Sequence, residues 1–320
     1  MLKAKQFDAP FDLAGATGNG VGRKASWLWR WVAVALAIVV AGTLSASLAA
    51  ASVPHGAAEQ SSRQFKVSSA QVTSTLQLAI QHEEDLIVSA AGFVAGNPGT
   101  NNAQFVAWAG SVQAMQRYPE LLGFGHSVVV PASQLAAFEA RAVADPAGKL
   151  APGGRFVVVP PGKRPFYCFA TGSETRDAAG AFPAGFDFCA GNLGEVSLAA
   201  RDSGESAYLP IKNKSFTFLS VLTPIYRGGG IPKTVAARRR AFLGWVGMEV
   251  LPQVVLESAL AGHPGIAVSM RYHDSLSNAV FALGKAAKGS QALSTDLHNG
   301  WTVTTSATWP AGVFSAMGTP

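Results

Sequence analysis

Phe216 to Tyr226 reads FTFLSVLTPIY, and Phe242 to Val250 reads FLGWVGMEV. Both are nearly uncharged runs of aromatic, β-branched and aliphatic residues at strand length, which predicts two buried β-strands. Alternation puts Phe216, Phe218 and Ser220 on one face of the first, and Thr217, Leu219 and Val221 on the other. Working outward, Ile266–Tyr272, Ala279–Leu283 and Trp301–Thr308 fit further strands, with a short helix over Leu251–Leu260. Upstream, Gly123–Val130 and Arg155–Val159 fit strands, while Pro131–Ala144 and Leu193–Ser203 fit helices. A helix is also expected over Asn102–Arg117, with Phe105, Trp108, Val112 and Met115 on one face. From Ala57 to Ala95, Phe65, Val72, Leu76, Ala79, Leu86, Ala90 and Phe93 recur mostly at helical intervals until Asn97-Pro98-Gly99 stops the pattern. A long helix, then mixed helices and strands, then mostly antiparallel strands, gives an α+β class rather than a doubly wound sheet.

Trp31 to Ala51, WVAVALAIVVAGTLSASLAAA, carries no charge. At ~1.5 Å per residue such a run crosses the ~30 Å hydrocarbon layer. Trp27, Trp29 and Trp31 sit at its start, behind Arg23, Lys24 and Arg30. The positive-inside rule then keeps residues 1–30 cytoplasmic, makes 31–53 a single-pass anchor, and exports the rest. Ser47-Leu48-Ala49 and Ala49-Ala50-Ala51 also fit a cleavage site, so a removed signal peptide is the competing reading. Both readings export the domain. Residues 57–117 then form a stalk and packing helices, whose apolar seam pairs with a second copy or packs on the protein's own domain.

The net charge is +6 and the pI about 9.4. The charge is spread thinly, with no aromatic interleaving and no zinc or homeodomain signature, so a nucleic-acid partner is not expected. Cys168 and Cys189 are the only cysteines. In an oxidising compartment the reading is one disulfide closing a loop, worth ~3 kcal/mol by chain entropy; two unpaired buried thiols are the alternative. Two cysteines without a CxxC partner make no structural zinc site, and no metal or cofactor is expected. Gly18, Gly20 and Gly22 do not complete a phosphate-binding loop, and His82-Glu83 lacks the second histidine of a zinc peptidase because position 86 is leucine. No GxSxG is present, and His126, His263, His273 and His298 share no ligand spacing. No catalytic residue is assigned.

From about Tyr118 onward the chain resembles the CHASE domain, the extracytoplasmic input module of cytokinin-receptor histidine kinases and of bacterial kinases and diguanylate cyclases. The resemblance rests on Tyr118-Pro119-Glu120-Leu121, Gly123-Phe124-Gly125, Val130-Pro131, Phe138-Glu139-Ala140-Arg141 and Phe156 to Pro160. It continues through Gly185-Phe186-Asp187, Ala200 to Gly204, Leu222 to Arg227, Thr234 to Arg239 and Leu243-Gly244-Trp245-Val246. It implies a sensor domain over 118–312, built as two PAS-like subdomains with mostly antiparallel sheets, dimeric through the stalk helix. A small molecule would sit in the membrane-distal subdomain, lined by Phe156, Tyr167, Phe186, Asp187, Ser215, Phe216, Phe218 and Thr223. The loop that supplies an aspartate to cytokinin in plant receptors corresponds to Tyr167–Pro183, of different composition, and Ser215 or Thr217 would replace a threonine. The ligand is therefore expected to differ from cytokinin.

The expected function is an extracytoplasmic, ligand-sensing input module of a signal-transduction receptor, not an enzyme. Its alternatives are an exported interaction or assembly module without a small ligand, and an unrecognised exported hydrolase. The family couples such sensors to a kinase or cyclase, which this sequence does not carry through Pro320; a longer coding region or a separate output partner is expected.

Overall fold

The computed structural model describes residues 22–177, 180–212, 216–274, 278–297 and 300–308. The chain divides into two compact units, Met1–Gln60 and Ser61–Pro320. Helix α1 runs over Gly22–Gly96. In the first unit Val34, Leu36 and Ile38 on this helix are exposed. Among the described residues no helix is long and apolar enough to cross a membrane, so the span expected at 31–53 rests on the sequence alone.

In the second unit the apolar seam of α1 is buried. Val72, Leu76 and Ala90 are wholly inaccessible, and they share one core with side chains from both β-sheets. The helix expected over Asn102–Arg117 is two: α2 (Asn102–Ser111) and α3 (Ala114–Arg117). Between them Gln113 adopts φ 55°, a left-handed conformation that breaks the helical repeat. The start of α2 is fixed by a capping box, in which Asn101 accepts from Gln104 N and the Gln104 side chain accepts from Asn101 N. Arg176 closes the end of α3, donating to the carbonyls of Met115, Tyr118 and Leu121 at 2.7–2.9 Å.

Strand β1 (Leu121–Pro131) leads through a 3-10 turn at Ala132–Gln134 into α4 (Leu135–Ala144). Arg155–Val159 is not a strand. Its backbone makes only isolated bridges, Ala151 to Arg155 and Val159 to Phe186, because Pro152 and Pro160 bracket it and remove ladder donors. Conversely, the stretch expected as a loop from Tyr167 begins as β2 (Phe166–Thr175). It pairs with β1 over nearly its whole length, from Pro131 opposite Phe166 to Gly123 opposite Thr175, with a bulge at His126/Ser127. There follow α5 (Asn192–Ser203), β3 (Ala207–Lys212), β4 (Thr217–Tyr226), α6 (Val235–Ala241), β5 (Phe242–Val250) and α7 (Pro252–Leu260). The larger sheet is antiparallel throughout, in the order β2-β1-β5-β4-β3. β3 escapes a pattern search because Pro210 interrupts it, and it occupies the edge, where a missing donor is tolerated.

The second sheet is formed by β6 (Ile266–His273), β7 (Asn278–Leu283), β8 (Ala292–Asp296) and β9 (Trp301–Ala307), in the order β7-β6-β9-β8, again antiparallel. β8 is exposed along its whole length, so it carries no apolar signal in the sequence. The architecture is α+β: two antiparallel sheets and a long helix that contributes to the core of both.

Candidate functional site

Strand alternation gives the larger sheet two faces of opposite character. Leu219, Val221, Val246, Met248 and Phe124 belong to the core shared with α1. On the other face β1 and β5 present Gly123 and Gly125 beside Glu249 and Gly247, with Gly123 opposite Glu249 and Gly125 opposite Gly247. Three glycines at neighbouring positions leave the middle of this face without side chains. A segment from Phe182 to Leu193 passes over it, and the space between is a cavity of about 170 Å³. The apolar wall is Phe182, Phe186, Phe188 and Phe218, with Ile211 and Leu222; the polar groups are Ser127, Ser173, Thr175, Ser220 and Glu249. Phe182, Phe186 and Phe188 form an aromatic cluster with centroids 4.9–5.5 Å apart.

Glu249 is the acidic group of this cavity. Burial pushes its carboxyl up to about 7, since removal from water penalises the charged form. His126, whose backbone borders the cavity, follows Phe124 and Gly125 in β1 and turns its ring to the opposite side of the sheet. There Nδ1 lies 2.9 Å from Thr171 Oγ1, and burial pushes the ring down to about 4. So weak a base, with Nε2 buried and unpartnered, is poorly suited to activating the threonine.

Of the residues expected to line a pocket, Phe186 and Phe218 do so. Phe156 and Tyr167 instead pack with Phe138 and Phe169 in a separate aromatic cluster against α4. The Tyr167 hydroxyl is satisfied by Arg164 N and Gly162 O. Asp187 is 1% exposed, and its Oδ1 accepts from the backbone N–H groups of Cys168 and Cys189 at 2.8 and 3.0 Å. Its Oδ2 lies 3.3 Å from Arg164 Nη1. A disulfide joins Cys168 and Cys189, with Cα atoms 5.2 Å apart, so Asp187 clasps β2 to the returning segment that the disulfide links to it. Phe216 is 42% exposed and outside the lining. Thr223 hydrogen-bonds Ser206 at 2.8 Å, and Ser215 lies outside the described residues.

Sequence reasoning missed Glu249, Phe182, Phe188 and the glycines. Glu249 did leave a signal, as the single charge in an apolar strand, on the same alternating face as Gly247.

A larger cleft of about 460 Å³ lies on the opposite face, between α4 and the turn joining α1 to α2. Several of its polar groups are engaged within the fold. Asn102 bonds Pro146 O and Ser173 N, Asp145 accepts from Ala103 N, and Asn101 caps α2. The smaller cavity is the better candidate because it brings a buried carboxyl and four phenyl rings to one small space.

Comparison with known families gives a match to the CHASE domain over residues 98–282. The chain belongs to the CHASE family. CHASE domains are extracytoplasmic sensory modules of membrane receptors, and this chain carries a sensor module of that kind. Solved structures similar to this CHASE domain include the sensory domain of the Campylobacter jejuni chemoreceptor Tlp3 (CcmL), at 9% identity and TM-score 0.40, covering 79% of this chain and 97% of that one. Another is the extracellular domain of the putative histidine kinase mmHK1S-Z2, at 11% identity and TM-score 0.37, covering 77% and 96%. No curated protein matches the chain.

Proposed function

We propose that this CHASE domain is the ligand-binding input module of a membrane receptor, and that its ligand occupies the cavity between the larger sheet and the Phe182–Leu193 segment. The observation that carries the reading is the cavity itself: glycines make its floor, aromatic rings its wall, and a carboxyl is held within it. Small-molecule sites are generally apolar with a few placed polar groups. At about 170 Å³ it suits a ring-sized ligand, since a ~150 Å³ engineered cavity holds benzene. In this reading residues 31–53 anchor the chain, with the sensor outside. A homodimer would use the outer face of the stalk, where Val67, Leu78 and Val88 are exposed; at 100° per residue they fall within an arc of about 80°.

The test is to fill the cavity from its floor. A Cβ on Gly247 would lie 3.3 Å from Leu222 Cδ2, the free end of a side chain that can turn aside. Gly247→Val suits strand backbone and should leave the melting temperature of the free protein nearly unchanged. A screen of purines, amino acids and small aromatics should find a compound that stabilises the wild type by about 2.7 kcal/mol at a hundred times its Kd. That stabilisation should vanish in Gly247→Val. A hit that survives the substitution undiminished places the site elsewhere, and a screen with no hits favours the assembly reading.

A further inference from the structure

We infer that the ligand of this cavity is a small organic cation, an amine or protonated ring nitrogen on a ring-sized apolar body, with Glu249 as its counter-charge. The inference rests on the reading of the cavity as a ligand site.

Charge inventory is the first argument. Among the described lining residues Glu249 and His126 are the titratable groups, and the His126 ring is on the other face of the sheet. No lysine or arginine lines the cavity among the described residues. The charged neighbours along the strands point away. Glu174 pairs with Phe124 and shares its face, Lys212 is one residue past the lining Ile211, and the Arg176 guanidinium is spent on α3 carbonyls. On the overlying segment Asp187 is committed to the disulfide junction. An anionic ligand would therefore meet a carboxyl and no compensating cation, a costly burial.

Placement is the second argument. Glu249 stands across from Gly123 on one side and Ser220 on the other. A Cβ on Gly123 would come within 2.7 Å of Glu249 Oε2, so the carboxylate occupies the space that a side chain at 123 would fill. It is thus held over the glycine floor, in the cavity that the phenyl rings also line. Ring faces carry negative potential, and a cation within about 6 Å of a ring is attracted to it. A carboxylate and an aromatic wall converging on one small space complement a positive charge on an apolar body.

The acid–base behaviour of Glu249 supplies a readout. Burial pushes its carboxyl up to about 7, and a cation binds the carboxylate, so it must displace a proton at lower pH. Affinity for a cation should then fall by up to about tenfold per pH unit below that value, and level off above it.

The experiment uses the full chain and three ring compounds of similar shape: benzylamine, benzyl alcohol and benzoate, followed by melting temperature and calorimetry at pH 5.5 and 8. Benzylamine should bind best, at least tenfold tighter at pH 8 than at pH 5.5. Glu249→Gln should reduce benzylamine affinity at least tenfold at pH 8 and flatten the pH profile, while Phe218→Ala weakens whatever binds. The wild-type pH profile stands whether or not the variants fold. Equal or tighter binding of benzyl alcohol or benzoate, or unchanged benzylamine binding by Glu249→Gln, overturns the cationic assignment and leaves the cavity as a ligand site. Failure of all three compounds to bind wild type overturns the cationic assignment, and the ligand-site reading falls with it only if the wider screen also finds no hit.

Discussion

Glu83 shows how one side chain couples stability to pH in this molecule. It lies on α1 where the helix meets both sheets, beside a void of about 20 Å³ that Tyr208, Met248 and Trp301 also border. Burial first, then repulsion from Glu120 and Glu84, pushes its carboxyl up to about 8. The same group titrates near 4.5 when free of the fold. Between those pH values the folded chain keeps a proton that the unfolded chain has lost, so stability is full below about 4.5 and is lost as pH rises through 8. Glu83→Gln should melt with wild type at pH 4.5 and several degrees above it at pH 8.5, at about 2–4 °C per kcal/mol for a domain of this size. Other buried carboxyls, Glu249 among them, share the wild-type slope, so the difference between the two melting curves is the quantity to read. A difference that does not grow with pH would refute the assignment.

At the scale of elements, the junction of β2 with the returning Phe182–Leu193 segment is held twice, by the disulfide and by Asp187. Replacing both cysteines by serine should cost about 3 kcal/mol, the loop-closure term for this length. Asp187→Asn should cost about 2 kcal/mol, as hydrogen bonds to a charged group do. Because both act on one junction, the combined variant should lose less than the sum, by 0.5 kcal/mol or more. Denaturant melts of the four proteins measure this, and strict additivity would show two independent fasteners. The same region marks the limit of what the sequence discloses. β4, β5, β6 and α7 were legible within a residue or two, because their apolar runs are long and their flanks carry turn residues. β2 was not, since FYCFATGSET mixes aromatic, small and polar residues and is specified by its pairing with β1. The site was legible in part for the same reason. Phe186 and Phe218 announce themselves as aromatics, whereas Tyr167, equally aromatic, falls on the face that α4 covers, and Phe156 packs there from an irregular segment. Which face a ring takes depends on long-range register, which composition does not carry.

For the molecule as a whole, the anchor reading makes a plain demand on topology. A reporter fused after Pro320 should be active only outside the cytoplasm, and one fused before Trp27 only inside; activity of the C-terminal fusion inside would refute an N-terminal anchor with an exported sensor. The stalk helix shares its core with the larger sheet, while the cavity opens on that sheet's far side. In β5 the odd-numbered Trp245, Gly247 and Glu249 lie on the cavity side, and the even-numbered Val246, Met248 and Val250 lie in the stalk core. In β4 the parity is reversed, with Phe218, Ser220 and Leu222 outward and Leu219 and Val221 inward. Two texts are thus interleaved letter by letter in the same strands, one addressed to a visitor and one to the helix. A hybrid that exchanged only the outward letters would acquire another molecule's taste and keep its own machinery. The loss of a single residue from β5 would set each text in the other's place.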